Sequence, residues 1–128
     1  MRETLRREQL NRVLDLDMTL ERLAGDETLL GAVTRVFMRT APEMLGSIRA
    51  ALSSNDLQRA FGQAHSLKGA VGAFEAPAVL NSVLNVERHA KNEDAAGAAA
   101  AFATAQPLVD RLLSELQTLV AQNTALDA

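Results

Sequence analysis

His65 and Glu87 are the two residues whose types and spacing point most directly to chemistry. Asp56 is a good N-cap for a helix that carries Leu57, Ala60, Ala64, Leu67, Val71 and Phe74 at three- and four-residue steps. This stripe places His65 about 100° round from its centre, at the edge of a helical bundle with one ring side supported and the other wet. On the following helix Glu87 falls on the inward stripe Leu80, Val83, Glu87, Ala90, where an aliphatic residue is expected. A short turn near residues 74–77 joins the two helices, and His65 and Glu87 each stand 11 residues from Ala76. Helices rise 1.5 Å per residue, so in an antiparallel hairpin the two side chains face each other at equal height. A carboxylate accepting the Nδ1–H of an imidazole fixes the tautomer and leaves Nε2 unprotonated and nucleophilic. The plain alternative is a half-buried glutamate satisfied by a surface Lys or Arg.

Around His65 the same helix face carries Gly62, Lys68, Gly69 and Gly72. Glycine inside a helix costs about 1 kcal/mol relative to alanine, so several on one face need a cause. Either another helix crosses closely, or a bulky partner must approach the imidazole. Lys68, one turn from His65, offers a cation for a phosphoryl oxygen or an acidic partner surface, although a lone helical lysine is ordinarily just solvated. His89, two residues from Glu87, falls on a different face; no Glu-x-x-His carboxylate metal site results, and His89 reads as an exposed bystander.

The elements that must hold these residues are all helical. The apolar pattern recurs at helical spacing without two-residue alternation. A short helix is expected over residues 2–14. Asp17 then caps a second short segment through Leu23, ended by Gly25. Asp26 caps a long helix striped by Leu30, Val33, Phe37, Ala41, Met44, Ile48 and Leu52, with a bend at Pro42. Ser53, Ser54 and Asn55 form the turn before the His65 helix. Pro77 opens the Glu87 helix, which runs through about Lys91 with Leu80, Val83 and Leu84 inward. Residues 92–94 break it. A last long helix covers residues 95–122, striped by Phe102, Ala105, Val109, Leu112, Leu116 and Leu119, and kinked or split by Pro107. The expected fold is all-α: an antiparallel four-helix bundle with an additional short N-terminal helical segment. Residues 1–14 read as a helical extension or linker, 15–122 as the bundle and 123–128 as a tail.

Composition narrows the function. The 128 residues suit one domain with a real core, and apolar surface comes mainly from aliphatic residues and alanine, with four Phe and no Trp or Tyr. A net charge of −3 provides no basic field for nucleic acid. No apolar run is long enough to cross a bilayer, and the charged start MRETLRREQL is no secretory signal. Without cysteine there is no disulfide, thiol nucleophile or thiolate metal site, which fits a cytoplasmic protein. There is neither a Gly-x-x-x-x-Gly-Lys loop nor a glycine-rich ATP lid, so no ATP binding or autokinase activity is expected.

The stretch Ala64-His65-Ser66-Leu67-Lys68-Gly69-Ala70 resembles the signature of histidine phosphotransfer (HPt) domains, intermediate carriers of bacterial multistep phosphorelays. Leu23-Ala24-Gly25-Asp26, the helix with Phe37 and Pro42, Asp56 and the Val86-Glu87 pair extend the resemblance over most of the chain, about residues 14–120. The resemblance implies that His65 is phosphorylated, that Lys68 assists electrostatically and that Glu87 orients the imidazole. It implies a phosphorelay intermediate that accepts a phosphoryl group from a receiver-domain aspartyl phosphate and passes it to another receiver aspartate. The implied partners are response-regulator receiver domains and a hybrid sensor histidine kinase. Docking would use a small apolar patch around the histidine, for which Gly62, Ser66, Gly69 and Gly72 are candidates. The carrier is expected to be a monomer with no cofactor of its own, the receiver bringing Mg²⁺. One departure stands at the inter-helix turn, where the family usually has a glycine and this chain has Glu75, ten residues after His65; it bears on the register of His65 and Glu87. Rival readings are a phosphoacceptor domain of a chemotaxis-type histidine kinase, a degenerate bundle acting only in protein binding, and a metal-dependent four-helix enzyme. The last lacks the ligands.

Overall fold

The computed structural model describes residues 12–122. Five helices follow one another: α1 (Leu16–Arg22), α2 (Glu27–Ser53), α3 (Leu57–Val71), α4 (Pro77–Lys91) and α5 (Ala95–Gln122). The four long helices pack in sequence and α5 packs back onto α2, closing the bundle, with no strand among the described residues. The all-α expectation, with a short extra N-terminal helix, is met.

The helix boundaries follow local chemistry. Asp26 accepts from the Leu29 N–H and Asp56 from the Arg59 N–H, each satisfying a donor that the first helical turn leaves open. Pro77 occupies the first turn of α4, where its missing N–H costs nothing. Asp94 accepts from the Gly97 N–H at 2.9 Å and so starts α5. The cap of α1 is Asp15, whose side chain takes the Met18 N–H; Asp17 lies within the first turn, as an acidic residue near the positive helix end. Residues 12–14 are not helical, and the rest of the helix expected over 2–14 lies outside the described residues. These three residues run along α5 instead, where the Glu115 carboxylate accepts the Val13 and Leu14 N–H groups at 2.9 and 3.0 Å.

Both internal prolines are absorbed. α2 continues through Pro42, and α5 is a single helix through Pro107, neither split there nor restarted. Pro107 is exposed, so water can reach the carbonyl left without its donor.

The core is aliphatic, centred on Leu30, Ile48, Leu67, Val83, Leu112 and Leu116, with Phe37 and Phe74 packed edge to face at 5.2 Å. At the end of the bundle away from the α3–α4 turn the core narrows to Ala51, Ala60, Ala90 and Ala98, one from each long helix, all buried. Only alanine-sized side chains fit such a close approach; an added methylene in a packed layer costs about 1–3 kcal/mol. The inward face of α4 is Val79, Val83, Val86 and Ala90. Leu84, expected inward, is exposed, because its position lies off that stripe toward the α3 edge.

Candidate functional site

The site is built on the α3–α4 hairpin. His65 projects from the middle of α3, its side chain 62% exposed, and presents Nδ1 to Glu87 Oε2 at 3.5 Å. Glu87 is only 16% exposed, so its carboxylate is held on the protein side of the ring while the opposite edge faces solvent. The equal-height geometry expected from the spacing is therefore realised despite Glu75 in the turn. At 3.5 Å the contact is longer than an aligned hydrogen bond.

Lys68 closes the group. Its ammonium donates to Glu87 Oε1 at 3.1 Å and lies 3.0 Å from Oε2. The half-buried carboxylate is thus paired with a half-buried cation, as the plain expectation for Glu87 has it, while it also lies beside His65. Oε2 is shielded from solvent and receives no aligned hydrogen bond among the described residues, so it retains acceptor capacity on the side of His65. Phe61, one turn before His65, stacks on the imidazole with ring centroids 6.1 Å apart and planes at 28°. Sequence reasoning passed over Phe61; its position four residues before the histidine was the available signal.

The remaining face of α3 is bare. Gly62 and Gly69 are exposed, and a Cβ built on either meets nothing within 4 Å. Among the described residues no helix crosses there, so none of the described helices is the cause of these two glycines. Ser66 is exposed too, its hydroxyl turned back to the Gly62 carbonyl at 3.2 Å. Gly72 differs: it is half-buried, a Cβ on it would press the Lys68 carbonyl at 3.3 Å, and its own carbonyl accepts from Arg22. It belongs to the helix end more than to an open face.

A family model described as Hpt domain matches residues 32–122. The chain belongs to this family. Neither a curated protein nor a solved structure gives a match. Membership assigns the Hpt domain a histidine phosphotransfer role in two-component signalling, within a family of phosphotransfer carriers that are not kinases and that interact with receiver domains and histidine kinases. None of the described helices is long and apolar enough to cross a membrane.

Two further features of the Hpt domain were not foreseen. His89 is less exposed than a bystander: its Nδ1 lies 3.0 Å from Asp94 Oδ2 across the α4–α5 junction, and its side chain is 31% exposed. Asp94 has its pKa held below the usual 3.8, first by the Gly97 N–H and then by His89. A Cβ at Gly97 would collide with the Asp94 carboxylate and the His89 ring, so a side chain there would displace the pair. The second feature is an apolar groove between α2 and α3, lined by Val33, Val36, Thr40, Ala70 and Ala73. Along α3 the residues Gly69, Gly62, Ser66 and Ala70 turn progressively from the His65 side toward this groove, and Ala73 lines it from the turn, so open face and groove are continuous. Val36, outside the α2 core stripe and 49% exposed, was the overlooked sign of it. Among the described residues no group of three or more carboxylate or histidine side chains could hold a metal ion.

Proposed function

We propose that His65 accepts a phosphoryl group on Nε2 from the aspartyl phosphate of one receiver domain and yields it to the aspartate of another. The observation that carries this reading is an exposed imidazole whose Nδ1 lies 3.5 Å from a half-buried carboxylate on an otherwise cleared helix face.

In the forward step the Nε2 lone pair forms the N–P bond as the P–O bond to the donor aspartate breaks and its carboxylate leaves. The imidazole proton stays on Nδ1 beside Glu87, so no proton crosses the reacting edge. The product ring carries positive charge, which the Glu87 carboxylate offsets. Onward transfer reverses these bond changes at the second receiver. Phosphoryl transfer asks mainly for position and charge neutralisation. Lys68, on a flexible four-carbon stem within reach of the ring, is proposed to turn from Glu87 toward a phosphoryl oxygen. The receiver is proposed to bring Mg²⁺, the Hpt domain acting as a cytoplasmic monomer without cofactor or ATP site. Gly62, Ser66 and Gly69, continued by Val36, Ala70 and Ala73, are proposed as the receiver's seat, and a hybrid sensor histidine kinase as the upstream source.

The test is transfer from a radiolabelled phospho-receiver. Label should appear on the wild-type protein and on His89→Gln, labile in acid and stable in alkali. Equal labelling of His65→Gln would overturn the proposal. A parallel incubation with labelled ATP alone should leave the protein unlabelled.

A further inference from the structure

The α3–α4 turn sets the register of His65 and Glu87, yet it has neither a residue of positive φ nor a side-chain cap. Elsewhere the described chain stops and starts its helices locally. Ala24, Gly25, Asn55 and Glu93 take positive φ of 56–75° after a helix, and Asp15, Asp26, Asp56 and Asp94 accept first-turn N–H groups. Residues 72–76 have neither device. Gly72 ends α3 at φ −62°, and Ala76 precedes α4 with no side-chain cap.

The polar groups left over are met from α1. Arg22 donates to the Gly72 carbonyl at 2.9 Å and to the Phe74 carbonyl at 3.4 Å, and pairs with the Glu75 carboxylate at 3.2 Å. The Glu75 N–H donates to Thr19 Oγ1 at 2.9 Å, and the Glu75 carbonyl accepts the Asp15 N–H at 2.8 Å. Thr19 is fully buried and its hydroxyl donates in turn to the Asp15 carbonyl at 2.7 Å. α1 lies before the matched span 32–122.

We infer that α1 is a positioning element for the phosphoacceptor site, with Arg22 and Thr19 fixing the α3–α4 turn and through it the alignment of Glu87 with His65 Nδ1. Neither touches the reacting atoms: Gly72 is seven residues above His65, about 10 Å along the same face. The leverage is geometric. Sliding one helix by a residue moves its side chains 1.5 Å along the axis and turns them about 100°, enough to break a 3.5 Å contact. Glu75 fits this role, since its side chain and both backbone groups serve the α1 contacts and its φ is not positive.

The inference rests on the proposed role of His65, but its decisive readout needs no phosphoryl donor. The nitrogen spectrum of the His65 ring, recorded with the imidazole neutral, reports how much of it carries the proton on Nδ1. Arg22→Met and the double variant Thr19→Val/Arg22→Met are compared with Arg22→Lys, and with Val109→Ala, a core truncation on α5. The double variant should lose at least half of the Nδ1–H form and slow labelling about threefold, less than loss of the Glu87 carboxylate itself. Arg22→Met alone, changing an exposed side chain, should move both readouts the same way by less. Arg22→Lys should stay near wild type. Val109→Ala should lower the melting temperature and leave the tautomer unchanged. A tautomer spectrum in both Met variants identical to wild type would overturn the inference, even if transfer fell; failure of His65 labelling with a shifted tautomer would instead count against the proposed function alone.

Discussion

Replacing Glu87 by alanine tests the division of labour in the site, because the structure fixes what is lost. The carboxylate contacts His65 Nδ1 at 3.5 Å and the Lys68 ammonium at 3.0 Å. An aligned hydrogen bond to a charged group is worth about 1.5–3 kcal/mol. This one is long and its ring is 62% exposed, which lowers it to about 1 kcal/mol. At 1.36 kcal/mol per tenfold in rate, Glu87→Ala should slow phosphoryl acceptance about fivefold, whereas His65→Gln abolishes it. Loss of the half-buried pair with Lys68 should cost about 1 kcal/mol more in stability, lowering the melting temperature by about 4 °C. The assay is single-turnover labelling by phospho-receiver in excess, with thermal unfolding followed by circular dichroism. Glu87→Gln separates shape from charge: if orientation suffices it stays near wild type, and if the negative charge offsets the phosphoimidazolium it falls toward the alanine value. An unchanged rate in Glu87→Ala would refute orientation by this carboxylate. A loss beyond about a hundredfold would refute it from the other side, since that scale belongs to a group transferring a proton in the reaction.

Three other perturbations follow from the same geometry. Gly69→Ala has room for its methyl and should raise stability by about 1 kcal/mol while weakening receiver binding, so unfolding and transfer should move in opposite directions. Thr34 is buried in α2 with its hydroxyl unpartnered among the described residues, so Thr34→Val should gain about 1 kcal/mol in denaturant unfolding without affecting labelling. Asp94 has a depressed pKa in the folded state, so its stabilising effect is present above the unfolded value and is lost as pH falls through the folded one; the stability gap between wild type and Asp94→Ala should therefore narrow below about pH 4.

How much of this was legible in the residues depended on whether the governing contact was local. N-caps at Asp26 and Asp56, Pro77 at a helix start and the core stripes are set within one or two turns, and each was readable as such. The facing of His65 and Glu87 was readable because a hairpin of two straight helices converts residue counts directly into height. The spacing points to Asp17 as the cap of α1 although Asp15 fills that role, since two aspartates two residues apart compete and only the path of residues 12–15 decides. That path is set by Glu115, about a hundred positions away. Leu84 and Val36 were misjudged or missed for a related reason. Helical spacing gives the angle of a residue on its own helix, but the neighbour that covers that angle comes from elsewhere in the bundle. The pairing of His89 with Asp94 hid in a junction where a glycine, Gly97, is the only outward sign of a crowded contact.

The two sides of His65 follow from one helical step. Residues turned from it toward α4 include Phe61 and Lys68, which stack on the ring or share its carboxylate. Residues turned toward α2 are Gly62, Ser66 and Gly69, which leave the surface open. In the proposed relay, a carrier that serves two partners in turn cannot hold its imidazole by contacts on the reacting edge, because each partner needs that edge free. It can hold the ring only from behind, and that requires the neighbouring helix to stay in register to within about an ångström. The demand on precision is thereby moved from the site to the turn at 72–76. There the bonds from Arg22 and Thr19 tie the hairpin to an element outside the matched family span, so how well His65 is aligned becomes a property of α1 as much as of α3 and α4.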